Sequence, residues 1–311
     1  MMQYDIIIIG AGPAGLTAAI YAGRAGMKTL VISEAIPGGQ AMLTEEIENY
    51  PGFSSSVKGP ELVENMHKQA KKLEIDFSCE MVKEVLKKDK GFSVKTSKGN
   101  FSSLSLIIAT GASYRKLGVK GEEEFTGRGV SYCGVCDAPL FKNKEIALVG
   151  GGDTAVYEAS HLLKFASTLH LVHRRDRLRA TKIMQKRVLE DKKTVMYWNS
   201  VIEEIYGSKL MEGVKIKDVK NGKIQNVACK GIFVFVGIDA NSNAFKNILK
   251  TDEKGYILTD ENMKTSLEGA YACGDVRKKL LRQISTAVGE GATAAFCAQQ
   301  YVEELKGIAY K

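Results

Sequence analysis

The chain has 311 residues, 44% hydrophobic and 26% charged, with Gly 31 against Pro 5 and a formal charge of +8. This length exceeds one ordinary domain and supports a large core without staples. Lysines are spread along the chain and no nucleic-acid motif accompanies them, so the charge reads as a solvated surface or as steering of an acidic protein partner, with no nucleic acid bound.

In chain order, Tyr4 to Ile9 is a buried-strand run, and its apolar stretch Ile6 to Ile9 is too short to span a bilayer and has no basic flank of a signal peptide. A membrane role is therefore not expected, and the expected compartment is the reducing cytoplasm. The turn Gly10-Ala11-Gly12-Pro13-Ala14-Gly15 follows, then a helix from Leu16 to Arg24 and a strand from Lys28 to Ile32 that delivers Ser33 and Glu34. Gly10 makes the tight turn, Gly12 lets backbone approach a pyrophosphate, and Gly15 lets helix pack on strand. Glu34 is placed to accept ribose hydroxyls. Strand, glycines, helix, strand and acid in register are a strong signature where lone glycines would be weak.

The strand Leu104 to Ile108 and Ala109-Thr110-Gly111 close this first part. Next comes Cys133-Gly134-Val135-Cys136-Asp137, the only short-spaced pair among six Cys. Without a second pair, and with the four His at no ligand spacing, no metal is expected; a lone CxxC in a reducing compartment points to redox chemistry.

The nucleotide unit then recurs. Glu145 to Val149 is a strand, Gly150-Gly151-Gly152-Asp153-Thr154-Ala155 the turn, Val156 to Phe165 a helix and Thr168 to Val172 a strand. In this frame Gly10 matches Gly150, Gly12 matches Gly152, Gly15 matches Ala155, and Glu34 matches Arg174. A carboxylate there favours a free 2′-hydroxyl, whereas a guanidinium binds a 2′-phosphate. His173, Arg174, Arg175 and Arg179 read as a cationic cluster for NADPH, with a plain basic surface run as the alternative.

Phe233 to Gly237 closes the repeat. Strands are expected at Gly255 to Thr259 and Gly269 to Ala272, then the turn Cys273-Gly274-Asp275 and a long small-residue helix from Gln283 to Leu305. The expected fold class is α/β, with two Rossmann-like nucleotide-binding domains, the second inserted into the first. Residues 1–112 and 242–311 form the first and 113–241 the second, with crossings near Ser113 to Lys116 and Asp239 to Asn243.

The runs Gly10 to Gly15, Pro37-Gly38-Gly39-Gln40, Glu48-Asn49-Tyr50-Pro51-Gly52, Ala109-Thr110-Gly111, Cys133 to Asp137, Gly150 to Ala155, His173 to Ala180 and Cys273-Gly274-Asp275 with Arg282-Gln283 together are specific. Over essentially its whole length the chain resembles the low-molecular-weight thioredoxin reductases, within the pyridine nucleotide–disulfide oxidoreductases. The resemblance implies FAD in the first domain, NADPH in the second, a homodimer, and thioredoxin or a thioredoxin-like protein as partner. It implies that Glu34 to Gln40 (with Gly38 and Gly39), Asn49, Val82, Asp275 and Arg282, Gln283 and Ile284 line the flavin; Gly111 joins that set. Asp275 would bond the ribityl chain, with a helix cap as its alternative role. Gln40 and Asn49 could equally be satisfied loop polars. The chain departs from many relatives at Ala138-Pro139 and Tyr157.

The resemblance also implies a redox-active Cys133–Cys136 pair, Cys136 nearer the flavin, exchanging its dithiol with a protein disulfide. Asp137 is placed to act as general acid, with a helix N-cap as the competing role. The nicotinamide site and the pair ride on one domain and the flavin on the other, so alternation by rotation about the crossings is expected. Cys79, Cys229, Cys273 and Cys297 read as buried apolar thiols. Ferredoxin–NADP reductases lack the CxxC, disulfide-forming oxidases need no 2′-phosphate clamp, and a non-catalytic flavoprotein would not need both intact nucleotide sites.

Overall fold

The computed structural model describes residues 3–34, 37–43, 47 and 49–309, with backbone alone at Leu43, Val135 and Cys136. It divides into two compact units, residues 1–113 with 239–311 and residues 114–238.

The first unit is built on a seven-stranded sheet. Gln3–Ile9 lies at its centre, parallel to Thr29–Ser33 on one side and Asn100–Ile108 on the other. Strands covered on both faces read as continuous apolar runs, and Ile6, Ile7, Ile8 and Ile9 are all buried. The long Asn100–Ile108 strand serves two partners on its outer edge. Its first residues take Phe92–Thr96 antiparallel, and Leu106 to Ile108 take Ala270–Ala272 parallel. Helices Pro13–Arg24 and Ile284–Lys306 pack on one face with Gly59–Lys71. Gly291 of the last helix lies so close to Ala14 that a Cβ there would run into its carbonyl.

The second unit repeats the pattern. Glu145–Gly150 lies between Thr168–Val172 and Gly231–Phe235, all parallel, with Thr194–Tyr197 beyond and a short Val130–Ser131 at the other edge. Helix Asp153–Leu162 follows the central strand, and Ser200–Gly207, Met211–Asp218 and Ile224–Ala228 form a separate antiparallel sheet. The α/β reading therefore holds. The two passages between the units, Ala112–Tyr114 and Ile238–Ala240, pair as a two-stranded ribbon.

Two expectations are corrected. Both glycine-turn helices begin earlier than read, at Pro13 and Asp153, and the second stops at Leu162. Gly255 to Thr259 is not a strand. Asp252 Oδ1 accepts the N–H groups of Lys254 and Tyr256, Gly255 takes φ +85°, and Ile257 makes only isolated bridges to Thr251 and Arg277. No helix among the described residues is long and apolar enough to cross a membrane.

Candidate active site

In the first unit Gly10, Glu34 and Gly111 lie just past the carboxyl ends of Gln3–Ile9, Thr29–Ser33 and Asn100–Ile108, where the strand order reverses, the position at which parallel sheets of this kind bind nucleotides. Gly10 takes φ +109°, and a Cβ on it would meet Ala109 and Thr110 backbone. A Cβ on Gly15 would collide with the Gly10 carbonyl. Gly12, by contrast, has open space where its Cβ would be. It caps the Pro13–Arg24 helix with no side-chain bond, leaving the first-turn N–H groups, Ala14 and Gly15 among them, to an anionic ligand.

Gly38 and Gly39 close over this turn: Gly38 N donates to Ala11 O at 2.7 Å, and a Cβ on Gly39 would stand 3.3 Å from Gly12 Cα. Gln40 Nε2 donates to Ala112 O at 2.7 Å, and Gly111, at φ +68°, accepts Asn241 N. Glu34 is exposed just past its strand, and Val82 opens Val82–Lys87; Ala35 and Ile36 lie outside the described residues. Asn49 Nδ2 donates to Gln283 Oε1 at 2.9 Å, across 234 residues of sequence. Gln283 also caps the Ile284–Lys306 helix through a capping box with Thr286. Arg282 stacks over Tyr256 at 4.1 Å, its buried Nε without a hydrogen bond. Asp275 sits inside the Gly274–Val276 turn, not at its cap, beside Gly274 at φ +76°. Open backbone over Gly12, an uncapped helix end and a part-exposed Asp275 fit an adenine dinucleotide such as FAD.

In the second unit Gly152 caps Asp153–Leu162, again with no side-chain bond. Asp153 Oδ1 accepts Thr181 N at 3.1 Å, and Arg179 N donates to Gly151 O at 2.6 Å, so the segment after Thr168–Val172 is tied down on the glycine turn. Thr154 lies in the first turn of the helix, exposed. Arg174, Arg175 and Arg179 are exposed, and the Arg179 guanidinium reaches within 3.8 Å of where a Gly152 Cβ would be. An exposed arginine run after the strand, with the Arg179 guanidinium at an uncapped helix end, fits a phosphorylated dinucleotide such as NADPH.

His173 departs from the expected cationic cluster. It is buried, edge-on to Trp198 and packed on Gly151, where a Cβ would strike its ring. Burial pulls its pKa below the usual 6.5, helped by Arg179 and Arg174. It is a neutral packing group. The residue before the arginines follows the strand Thr168–Val172 directly and faces inward, a direction that the basic run His173-Arg174-Arg175 conceals.

Cys133, also in the second unit, is disulfide-bonded, and Cys79, Cys229, Cys273 and Cys297 are free; the Cys136 side chain lies outside the described residues. Ser131 Oγ accepts Cys133 N and donates to Cys133 O, both at 3.1 Å. Asp137 ends the Gly134–Asp137 helix and stands at the N-cap of Ala138–Phe141 without a side-chain capping bond. Burial raises Cys229 and Cys273 to about 12, as inert core thiols require. Cys79 is corrected: it is exposed, its Sγ 3.6 Å from Glu34 O, because a strand's last residue can face solvent. Cys297 is only half-buried.

Sequence reasoning missed Gly134, where a Cβ would run into the Glu158 carboxylate, and Gly151 under His173. It also missed Tyr132, the residue before Cys133, whose hydroxyl donates to the buried Glu122 at 2.9 Å and whose ring stacks on Tyr114. A glycine inside a CxxC and a tyrosine before it were the available signals.

Residues 4–291 match the family model for pyridine nucleotide-disulphide oxidoreductase. A thioredoxin reductase of Listeria monocytogenes is 48% identical over 304 residues, covering 97% of this chain and 95% of that one. The crystal structure of Lactococcus lactis thioredoxin reductase (FR conformation) is 45% identical with a TM-score of 0.77, and that of Streptococcus pyogenes thioredoxin reductase 44% identical with 0.82; each comparison covers 97% of this chain and 99% of the other. A match of this extent, on a chain with two strand–glycine turn–helix units and a disulfide, makes it a member of the pyridine nucleotide-disulphide oxidoreductase family.

Proposed function

We propose that this chain is an NADPH-dependent thioredoxin reductase. The observation that carries the reading is the placement of a disulfide-bonded Cys133 in the same unit as the Arg174, Arg175 and Arg179 turn. FAD in the first unit would supply the two-electron carrier that accepts hydride from the nicotinamide and passes electrons to a disulfide.

In that unit the first-turn N–H groups after Gly12 would hold the pyrophosphate, Glu34 the ribose and Asp275 the ribityl chain. Gly38, Gly39, Gln40, Asn49, Val82, Gly111 and Arg282 to Ile284 would complete the cradle. In the second unit Gly152 to Thr154 would hold the NADPH pyrophosphate, and the three arginines would select its 2′-phosphate from NADH.

Reduction of the Cys133–Cys136 disulfide consumes two electrons and two protons. The dithiol then gives its hydrogens to thioredoxin by exchange through a mixed disulfide, which returns the enzyme pair to the oxidised state. Asp137 would protonate the departing thiolate. The net change is NADPH, a proton and oxidised thioredoxin to NADP⁺ and reduced thioredoxin. The second unit would turn about the paired crossings between its two tasks, in a homodimer working in the cytoplasm.

Steady-state kinetics with NADPH and NADH against thioredoxin, ferredoxin and a small disulfide test this reading. Thioredoxin with NADPH is expected to be the fastest pair. Equal rates with NADH, or ferredoxin as the preferred acceptor, would overturn it.

A further inference from the structure

In the first unit Asp275 is joined to three further charges, Lys279, Glu290 and Arg277, that have no part in the cycle above. The Lys279 side chain is only 6% exposed, and its Nζ stands 3.1 Å from Asp275 Oδ1 and 3.4 Å from Glu290 Oε2. Glu290, on the Ile284–Lys306 helix, pairs through Oε1 with Arg277 Nη1 at 3.1 Å and accepts Gly274 N at 2.8 Å. Two carboxylates and two cations therefore alternate from Asp275 through Lys279 and Glu290 to Arg277. Glu290 and Arg277 are each 14% exposed.

A lysine this deep is costly unless opposite charges face it, and here two do. Its relation to Asp275 is charge without a hydrogen bond: Oδ1 lies at ion-pair distance, yet it is buried with no hydrogen-bond partner. Meanwhile 37% of the Asp275 side chain remains exposed. The carboxylate is thus backed by a cation and open on its other side. A ligand that covers Asp275 strips its remaining water, and a carboxylate so dried is stable only beside a countercharge.

We infer that Lys279 is a positioning residue for flavin binding, an inference that rests on the FAD reading above. It supplies the countercharge that lets Asp275 exchange water for the hydroxyls of the ribityl chain. Through Glu290 the same network holds the Gly274 turn, whose Cβ position is 2.9 Å from Ala14 Cβ in the pyrophosphate loop.

The test is FAD release from holoenzyme, read as recovered flavin fluorescence on dilution, for wild type, Lys279→Met, Lys279→Arg, Asp275→Asn and the Lys279→Met/Asp275→Asn pair. Lys279→Met is expected to loosen FAD by about tenfold or more, as for one charge-assisted contact. Lys279→Arg should restore most of it. In the Asp275→Asn background Lys279→Met should change little, because its target is gone. A loss of equal size in both backgrounds would mark Lys279 as merely structural, and an unchanged Lys279→Met would also overturn the inference. Should Lys279→Met not fold, Lys279→Gln enters the same cycle with the same expected outcomes. Wild type that binds no FAD would instead sink the cofactor assignment.

Discussion

Gly15 and Ala155 hold the third position of the two glycine turns, and only the second can carry a methyl group. A Cβ on Gly15 would overlap the Gly10 carbonyl, whereas the second turn holds the Ala155 methyl, which in turn requires glycine opposite: a Cβ on Gly150 would lie 2.6 Å from that of Ala155. Gly15→Ala is expected to cost on the order of 1–3 kcal/mol and to lower the flavin content of purified protein, measurable by absorbance and a denaturant midpoint. Arg174 offers an exposed guanidinium where the first turn offers Glu34. Arg174→Ala should raise KM for NADPH about 10- to 100-fold and leave that for NADH unchanged, the loss of one charge-assisted contact. His173, its pKa held below 6.5 by burial, contributes stability as a neutral ring. That contribution is present above pH 6.5 and lost as pH falls beneath it, since the unfolded chain binds the proton more readily. Melting curves between pH 5 and 8 should show wild type losing more stability on acidification than His173→Gln.

At the scale of elements, the repeated strand, glycine turn, helix and strand were legible because parallel strands covered on both faces must be apolar and a turn that approaches phosphate must lack side chains. Tyr256-Ile257-Leu258 looked like a strand for its apolar run, yet Ile257 is buried by core packing and Asp252 claims the backbone donors around it. The link from Asn49 to Gln283 and the network from Asp275 to Arg277 were not legible: both join a loop to the last helix, and no periodicity reports a contact between distant segments. The capping box at that helix has a measurable share in stability. Thr286→Ala removes the hydroxyl that accepts Gln283 N at 3.2 Å, at a cost of about 0.5–2 kcal/mol. The melting midpoint should fall by a few degrees, and an unchanged midpoint would mean the helix start is held by packing alone.

Across the whole molecule the charge is unevenly shared. Residues 114–238 carry 22 Lys and Arg against 14 Asp and Glu, while the other unit carries 22 of each, so the entire excess of +8 lies on the unit with the disulfide and the arginines. Long-range attraction of an anionic protein falls with salt. The kcat/KM for an acidic thioredoxin should therefore drop more steeply with ionic strength than that for an uncharged small disulfide; parallel salt profiles would remove the steering argument. The most direct measurement of the electron path is anaerobic reduction by excess NADPH, counted as electrons taken up per protomer. Wild type should accept about four, two at FAD and two at the cysteine pair, and Cys136→Ser about two. Wild type that stops at two with its disulfide still oxidised would contradict the account.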